Sequence, residues 1–314
     1  MTKAFVFPGQ GSQTVGMGRS FYNNFKVAKD VFNEVNDAVG KDLTKIIFGD
    51  NQELLTQTEN AQPAIMCVSM AILRALEKET GRKATKLCDF VAGHSLGEYS
   101  ALCASGAISI TDTAKLLKVR GEAFAEVGKN SGGSMMALIG ATIEQAEEVA
   151  KKASNDTTIC QVANDNTVGQ VVLSGHTEAI DRAIEIATEM KIKRAIKLPV
   201  SGAFHSILME PAVDEVRKVL NKIEVNEPII PVIANVTANQ VFSVEEIKDS
   251  LLKQITGRVK WRETMLNFQF GGVNQIIEIG NGQVLSRMVS KTCPEIKGFS
   301  VNSLDTMKEF LKMM

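Results

Sequence analysis

Gly93-His94-Ser95-Leu96-Gly97 is the stretch whose reading decides the fold. It is a G-x-S-x-G pattern set between two segments of different texture. Residues 87–92 are a short apolar run, which predicts a buried strand, and residues 96–104 are small and apolar, which predicts a helix closed by Ser105-Gly106. Strand, sharp turn and helix make a nucleophile elbow. Such a turn pushes the Ser95 hydroxyl clear of the backbone, and the helix N-terminus beneath it favours developing negative charge. The flanking glycines permit the turn, because a side chain at either position would meet neighbouring backbone. An ordinary β–α turn with a solvated serine shares the pattern, so the rest of the chain must supply the reason for chemistry.

Outward from the elbow, strands and helices alternate. Residues 4–7 read as a first strand, stopped by Pro8-Gly9-Gln10-Gly11-Ser12-Gln13. A helical pattern ends at Gly40, and Pro63 reads as the first residue of a helix running to about 80, closed by Gly81. Thr111 or Asp112 is expected to cap a long helix to about 127. At 129–133 Gly, Ser and Asn cluster, and a compact unit follows. It reads as strand 135–139, helix 142–153, strands 158–163 and 170–173 across a polar loop, helix 177–190 and strand 194–198. That βαββαβ order is the ferredoxin-like arrangement. A small subdomain over 128–198 is therefore expected, inserted into a larger α/β body made of 1–127 and 199–314. In the body, a helix covers 210–220, a strand 232–235, and a capping box of Ser243 and Glu246 opens a helix to about 255. A strand at 275–279 stops at Gly280-Asn281-Gly282, and helices follow from 284 and over the last dozen residues. Such alternation implies a mainly parallel sheet covered on both faces.

Composition narrows the function. The chain has 314 residues, 44% of them hydrophobic, with a net charge of −1, so nothing points to nucleic acid. The start, Met1-Thr2-Lys3-Ala4-Phe5, shows no signal-peptide core, and no apolar run reaches membrane-spanning length, so a cytoplasmic protein without membrane contact is expected. Five cysteines, Cys67, Cys88, Cys103, Cys160 and Cys293, are scattered without a C-x-x-C pair, which reads as reduced thiols and no metal.

A serine hydroxyl needs a base, usually histidine, and the chain offers only His94, His176 and His205. His94 adjoins Ser95, and neighbouring side chains diverge there, so it reads as a packing or positioning residue. His176 follows Ser174-Gly175 and reads as a surface helix cap. His205 lies where the chain re-enters the body, in Val200-Ser201-Gly202-Ala203-Phe204-His205-Ser206, and is the expected base. No acid stands out as a third member; a backbone or amide carbonyl could orient the imidazole instead. Arg120 falls in the apolar stripe of its helix, between Leu116-Leu117 and Ala123-Phe124. A guanidinium there needs an anion or a route to water. It is a structural ion pair, a snorkelling arginine, or a fork for a substrate carboxylate.

Taken together, these stretches resemble the malonyl-CoA:acyl-carrier-protein transacylase family. Phe7-Pro8-Gly9-Gln10-Gly11-Ser12-Gln13, Gly93-His94-Ser95-Leu96-Gly97-Glu98-Tyr99, Val119-Arg120-Gly121, Gly169-Gln170-Val171-Val172 and Gly202-Ala203-Phe204-His205-Ser206 match its signatures in order. The resemblance covers nearly the whole chain and implies an α/β-hydrolase-like body with the inserted ferredoxin-like subdomain. It implies Ser95 as nucleophile, His205 as base and Arg120 as the clamp for the malonyl carboxylate. It also implies the backbone N–H groups of Gln10 and Leu96 as oxyanion hole, and Gln254 as the residue whose main-chain carbonyl orients the histidine. Asn164 and Asn166 resemble cleft-lining residues, and Phe204 resembles the malonyl-selecting choice. The implied reaction moves malonyl from malonyl-CoA to an acyl carrier protein for fatty acid synthesis, with no metal or redox cofactor. Lys193, Arg194, Arg287 and Lys291 could greet an acidic carrier. The family commonly has proline where this chain has Asn281, which puts the rigidity of that turn in question. The rival readings are a serine thioesterase or esterase, a malonyl transferase acting in trans for a polyketide synthase, and a non-catalytic acyl-CoA or carrier-protein binder.

Overall fold

The computed structural model describes residues 2–200 and 202–314. It is a mixed α/β fold with ten strands among the described residues. In chain order they are β1 (Thr2–Phe7), β2 (Phe90–Gly93), β3 (Gly133–Ile139), β4 (Cys160–Thr167), β5 (Gln170–His176), β6 (Arg194–Lys197), β7 (Val232–Ile233), β8 (Gln240–Val241), β9 (Val273–Ile279) and β10 (Lys297–Val301). They form a six-stranded sheet in the order β10-β9-β1-β2-β7-β8 and a four-stranded sheet in the order β4-β5-β3-β6.

The large sheet is parallel except for the β7–β8 hairpin. Its central strand β1 shows why both faces are covered. Phe5 and Phe7 point into one apolar cluster with the Thr58–Thr80 helix, while Ala4 and Val6 point into another with Trp261, Met265 and Phe268. A period of two with apolar residues on both phases is what a doubly covered strand requires. β1 pairs with β2 so that Phe7 lies opposite Gly93, which sets the Pro8–Gln13 loop beside the elbow.

Two helix starts differ from the sequence expectation. The Thr58–Thr80 helix begins five residues before Pro63 and carries it inside. Proline removes the N–H that would serve the Glu59 carbonyl. Lys41 Nζ donates to that carbonyl at 3.4 Å and to Asn60 Oδ1 at 2.6 Å, so the gap is filled from the turn after the Lys26–Val39 helix. The Ile110–Asn130 helix is capped by Ser109, not Thr111 or Asp112; Ser109 Oγ accepts from Asp112 N–H at 3.0 Å, making Asp112 a first-turn acid.

The small sheet is antiparallel throughout, and its strands and helices follow the βαββαβ order. Met136, Leu138 and Leu173 pack under the Ile143–Ala153 and Thr177–Glu189 helices, while Met135, Ala137, Ala163 and Val172 turn toward the main core. The expected polar loop after 163 is absent. β4 continues to Thr167, leaving only Val168-Gly169 in the turn, with Gly169 at φ 78°. Asn164-Asp165-Asn166-Thr167 is poor in strand formers. It stays extended because irregular register at 162/164 and 165/167 lets it pair with the body as well. Asp165 N–H donates to the Val259 carbonyl at 2.9 Å, and Val259 N–H to the Ala163 carbonyl at 2.8 Å. Edge strands β8 and β10 escaped the sequence reading; one is two residues long and the other contains Gly298.

The elbow packs backbone directly on backbone. A Cβ on Gly97 would collide with the Phe7 carbonyl, and one on Gly93 with the Gly97 carbonyl. Gly97→Ala is therefore expected to destabilise the protein by at least about 2 kcal/mol, read from the urea midpoint. A change below about 0.5 kcal/mol would mean that the turn relaxes freely.

Candidate active site

Ser95 sits between the end of β2 and the Leu96–Ala104 helix at φ 55° and ψ −112°, a backbone conformation that few non-glycine residues adopt. Asn235 holds it there. Its Oδ1 accepts from Ser95 N–H at 2.8 Å, and its Nδ2 donates to the Gly93 carbonyl at 2.7 Å.

Ser95 Oγ lies 2.8 Å from His205 Nε2, although the two residues are far apart in sequence. His205 is also at positive φ, 57°. Its Nδ1 is 2.8 Å from the Gln254 main-chain carbonyl. A carbonyl only accepts, so Nδ1 carries the proton and Nε2 is free to accept from the serine hydroxyl. Burial first, then the neighbouring Arg120 charge, push the imidazole from 6.5 down to about 3. The imidazole therefore rests neutral near neutral pH.

Arg120 is 1% exposed, so it does not snorkel. Nor is it in an ion pair: among the described residues its hydrogen bonds go to neutral oxygens. Nη1 donates to Gln62 Oε1 at 2.6 Å, and Nη2 to Gln254 Oε1 at 2.9 Å and Ser95 Oγ at 3.1 Å. Nε is buried without a partner among the described residues. Phe124 and Tyr99 flank the guanidinium, with ring centroids at 4.2 and 5.4 Å. Both bland readings of this arginine are thereby overturned, and an orphaned donor remains beside the serine.

From Arg120 a chain of amides runs to the first loop. Gln62 Nε2 donates to Thr58 Oγ1 at 2.9 Å, which donates to Gln10 Oε1 at 3.0 Å. The backbone N–H groups of Gln10 and Leu96 donate to no protein acceptor among the described residues. Phe204 is nearly buried, its ring 5.1 Å from that of Phe124, so it packs on one of the rings that flank the guanidinium.

Asn164 and Asn166 lie in the buried seam between β4 and the body. Asn166 Oδ1 accepts from His94 Nε2 at 2.7 Å, and Asn164 pairs through its backbone with Val259. His94 packs edge-on against Trp261, and burial lowers its basicity. It links elbow to small sheet rather than meeting the serine hydroxyl. His176 stands at the start of the Thr177–Glu189 helix but makes no capping bond; its Nδ1 accepts from Ile159 N–H at 3.0 Å. Asn281 cross-links its turn to the first loop, its Nδ2 donating to the Ser12 carbonyl and to Thr14 Oγ1. Lys193, Arg194, Arg287 and Lys291 are exposed, the first two at the start of β6 and the others on the Val284–Thr292 helix.

Sequence reading missed four parts of the site: Asn235, Gln62, Glu98 and the Gln254 side chain. Glu98 alone gave a signal, a charged residue one turn after the serine in an otherwise apolar helix. The others reach the site only through tertiary packing.

The acyl transferase domain family matches residues 4–309. Malonyl CoA-acyl carrier protein transacylase of Bacillus subtilis (strain 168) is 40% identical over 305 residues, covering 97% of this chain and 95% of that protein. The solved acyl-carrier-protein-S-malonyltransferase from Bartonella henselae superposes with a TM-score of 0.95 at 44% identity, over 100% of this chain and 99% of that one. A malonyl-transacylase solved in complex with its type II PKS acyl-carrier protein gives 0.94 at 35% identity, covering 100% of both chains. The chain belongs to the acyl transferase domain family, and within it to the malonyl-CoA–acyl carrier protein transacylases. Among the described residues no helix is long and apolar enough to cross a membrane.

The depressed basicity of His205 sets a pH dependence. A lowered imidazole stays deprotonated as pH falls through 6.5 and gains its proton only well below it. The acid limb of kcat/KM should therefore lie below about 5.5, against the ~6.5 of an exposed histidine. An acid limb centred near 6.5 would contradict the buried, arginine-flanked imidazole.

Proposed function

We propose that the protein transfers a malonyl group from malonyl-CoA to the phosphopantetheine thiol of an acyl carrier protein, through a malonyl ester on Ser95, in support of fatty acid synthesis. The observation that carries this is the shared position of Ser95 Oγ, 2.8 Å from His205 Nε2 and 3.1 Å from Arg120 Nη2. One contact activates a nucleophile; the other places a cation where an acyl chain bearing a carboxylate would lie. The reaction site is read as the cleft between the body, 1–127 and 199–314, and the small unit, 128–198.

In the first half-reaction the Ser95 O–H proton passes to His205 Nε2 as Oγ attacks the thioester carbonyl. The N–H groups of Gln10 and Leu96, which donate to no acceptor among the described residues, receive the oxyanion; losing one such donor typically costs about a hundredfold in rate. The C–S bond breaks, the proton returns from His205 to the coenzyme A sulfur, and malonyl-Ser95 remains. In the second half-reaction the carrier thiol gives its proton to His205, attacks the ester, and Ser95 recovers its proton. Thioester is exchanged for thioester, so the reaction needs no redox or metal cofactor. The Gln254 carbonyl keeps Nδ1 protonated through both halves without adding a buried acid.

Arg120 supports the choice of acyl group. A malonyl carboxylate would satisfy its orphaned Nε–H and add a charge-assisted pair. Phe204, packed on Phe124, limits the room for an α-methyl branch. Asn166, bound to His94, is read as support for the cleft wall, with Asn164 beside it. A hydrolase would have no use for a guanidinium sealed beside its serine. The complex of a 35% identical relative with a type II PKS carrier makes service to a polyketide pathway the second reading, with the same chemistry. A cytoplasmic location fits both.

Incubation of the protein with malonyl-CoA, followed by intact-mass measurement, should reveal a single malonyl adduct, and Ser95→Ala should show none. An adduct on the alanine variant would place the nucleophile elsewhere. Arg120→Ala should lose malonyl-over-acetyl preference by about 1.5–3 kcal/mol, seen in the ratio of kcat/KM values. Unchanged discrimination would falsify the clamp.

A further inference from the structure

We propose that Glu98 is a positioning residue of the transfer site, fixing the Gln254 side chain and Asn235 so that base, nucleophile and guanidinium are held in one register. The inference rests on the malonyl-transfer reading and extends it to a residue that touches none of the reacting atoms.

Glu98 is three residues after Ser95 on the same helix face and 2% exposed. Its Oε2 accepts from Gln254 Nε2 at 2.7 Å and from Asn235 N–H at 3.0 Å. Gln254 Nε2 also donates to the Ser95 carbonyl at 2.9 Å. A carboxylate and a carbonyl can only accept, so the amide nitrogen must face them. Oε1 is then forced toward Arg120 Nη2, 2.9 Å away. Turning the amide over would set NH2 against the guanidinium and oxygen against the carboxylate, two repulsions at once. The carboxylate therefore decides which way the amide points.

Gln254 also orients His205 through its main-chain carbonyl. One residue thus serves the base through its backbone and the clamp through its side chain, and Glu98 holds that residue still. The second branch leads to the elbow, because the same Oε2 anchors Asn235, whose side chain bonds Ser95 N–H and the Gly93 carbonyl.

The arrangement also handles charge. A direct Arg120–Glu98 pair would occupy the donor edge that a substrate carboxylate needs. With the Gln254 amide between them, the two charges stabilise each other while Arg120 Nε stays free. Burial drives the Glu98 carboxyl up to about 7, against the pull of Gln254, Asn235 and Arg120. Burying such a group would be unfavourable if an apolar side chain served as well.

The test compares the parent, Glu98→Gln, Gln254→Met and the double variant in thermal melting and in single-turnover acylation by malonyl-CoA and acetyl-CoA. Glu98→Gln should melt at or above the parent temperature, because a neutral amide of the same shape replaces a buried acid. Its malonyl acylation should slow by about tenfold or more, with a smaller loss for acetyl, so the preference falls. Gln254→Met, which keeps the main-chain carbonyl, should lose preference likewise. If Glu98 acts through Gln254, the double variant should be no worse in preference than the poorer single one. Rate and preference in Glu98→Gln within about twofold of the parent, or losses that multiply in the double variant, would overturn the proposal. Should Glu98→Gln not fold, Gln254→Met decides: preference within about twofold of the parent overturns it. A parent that forms no malonyl adduct overturns the transfer reaction itself, whereas a parent that does, matched by its Glu98→Gln variant, removes only the role of Glu98.

Discussion

The Asn235 side chain is the brace on which the site depends. Ser95 is held at positive φ, where a β-carbon is crowded by its own backbone, and this conformation persists only if the surroundings over-determine it. Asn235 supplies that over-determination with one amide, gripping the chain before and after the bend. Its own position is fixed through both backbone groups, N–H to Glu98 and carbonyl from Lys260 N–H at 2.9 Å. Ala238, also at positive φ, completes the tight turn that returns the chain to β8.

Neutral groups do most of the orienting. The imidazole is steered by a backbone carbonyl, and the guanidinium by two glutamine amides. An acid in either position would have changed the balance. Beside the imidazole it would raise proton affinity and favour a charged ring; beside the guanidinium it would close the remaining donor edge in an ion pair. Amides give direction without charge. Glu98, a buried carboxylate, stands behind them.

The legible features were those with local causes. The elbow, the Ser243–Glu246 capping box and the βαββαβ succession follow from periodicity, glycine placement and cap chemistry within a few residues. His205 could be singled out because the chain has only three histidines, and Arg120 because a charge stood in an apolar stripe. What stayed hidden has non-local causes. Pro63 reads as a helix start unless Lys41 is known to serve the carbonyl it leaves bare. Residues 164–167 read as a loop because their composition disfavours strands, and only pairing with the body keeps them extended. Gln62 and Asn235 lie in segments with no special pattern, and their contacts with the site span 58 and 140 residues of chain.

The second half of β4 gives the two sheets a common seam. Beyond the Val259 pairing, Arg262 makes a two-pronged contact with Asp165, Thr167 bonds Thr292 at 2.6 Å, and Asn166 meets His94. All these ties lie along one border of the four-stranded sheet, whereas β6 at the opposite border is mostly exposed. The contact between His94 and Asn166 thereby joins the residue beside Ser95 directly to the small sheet, so a displacement of β4 would be felt at the elbow.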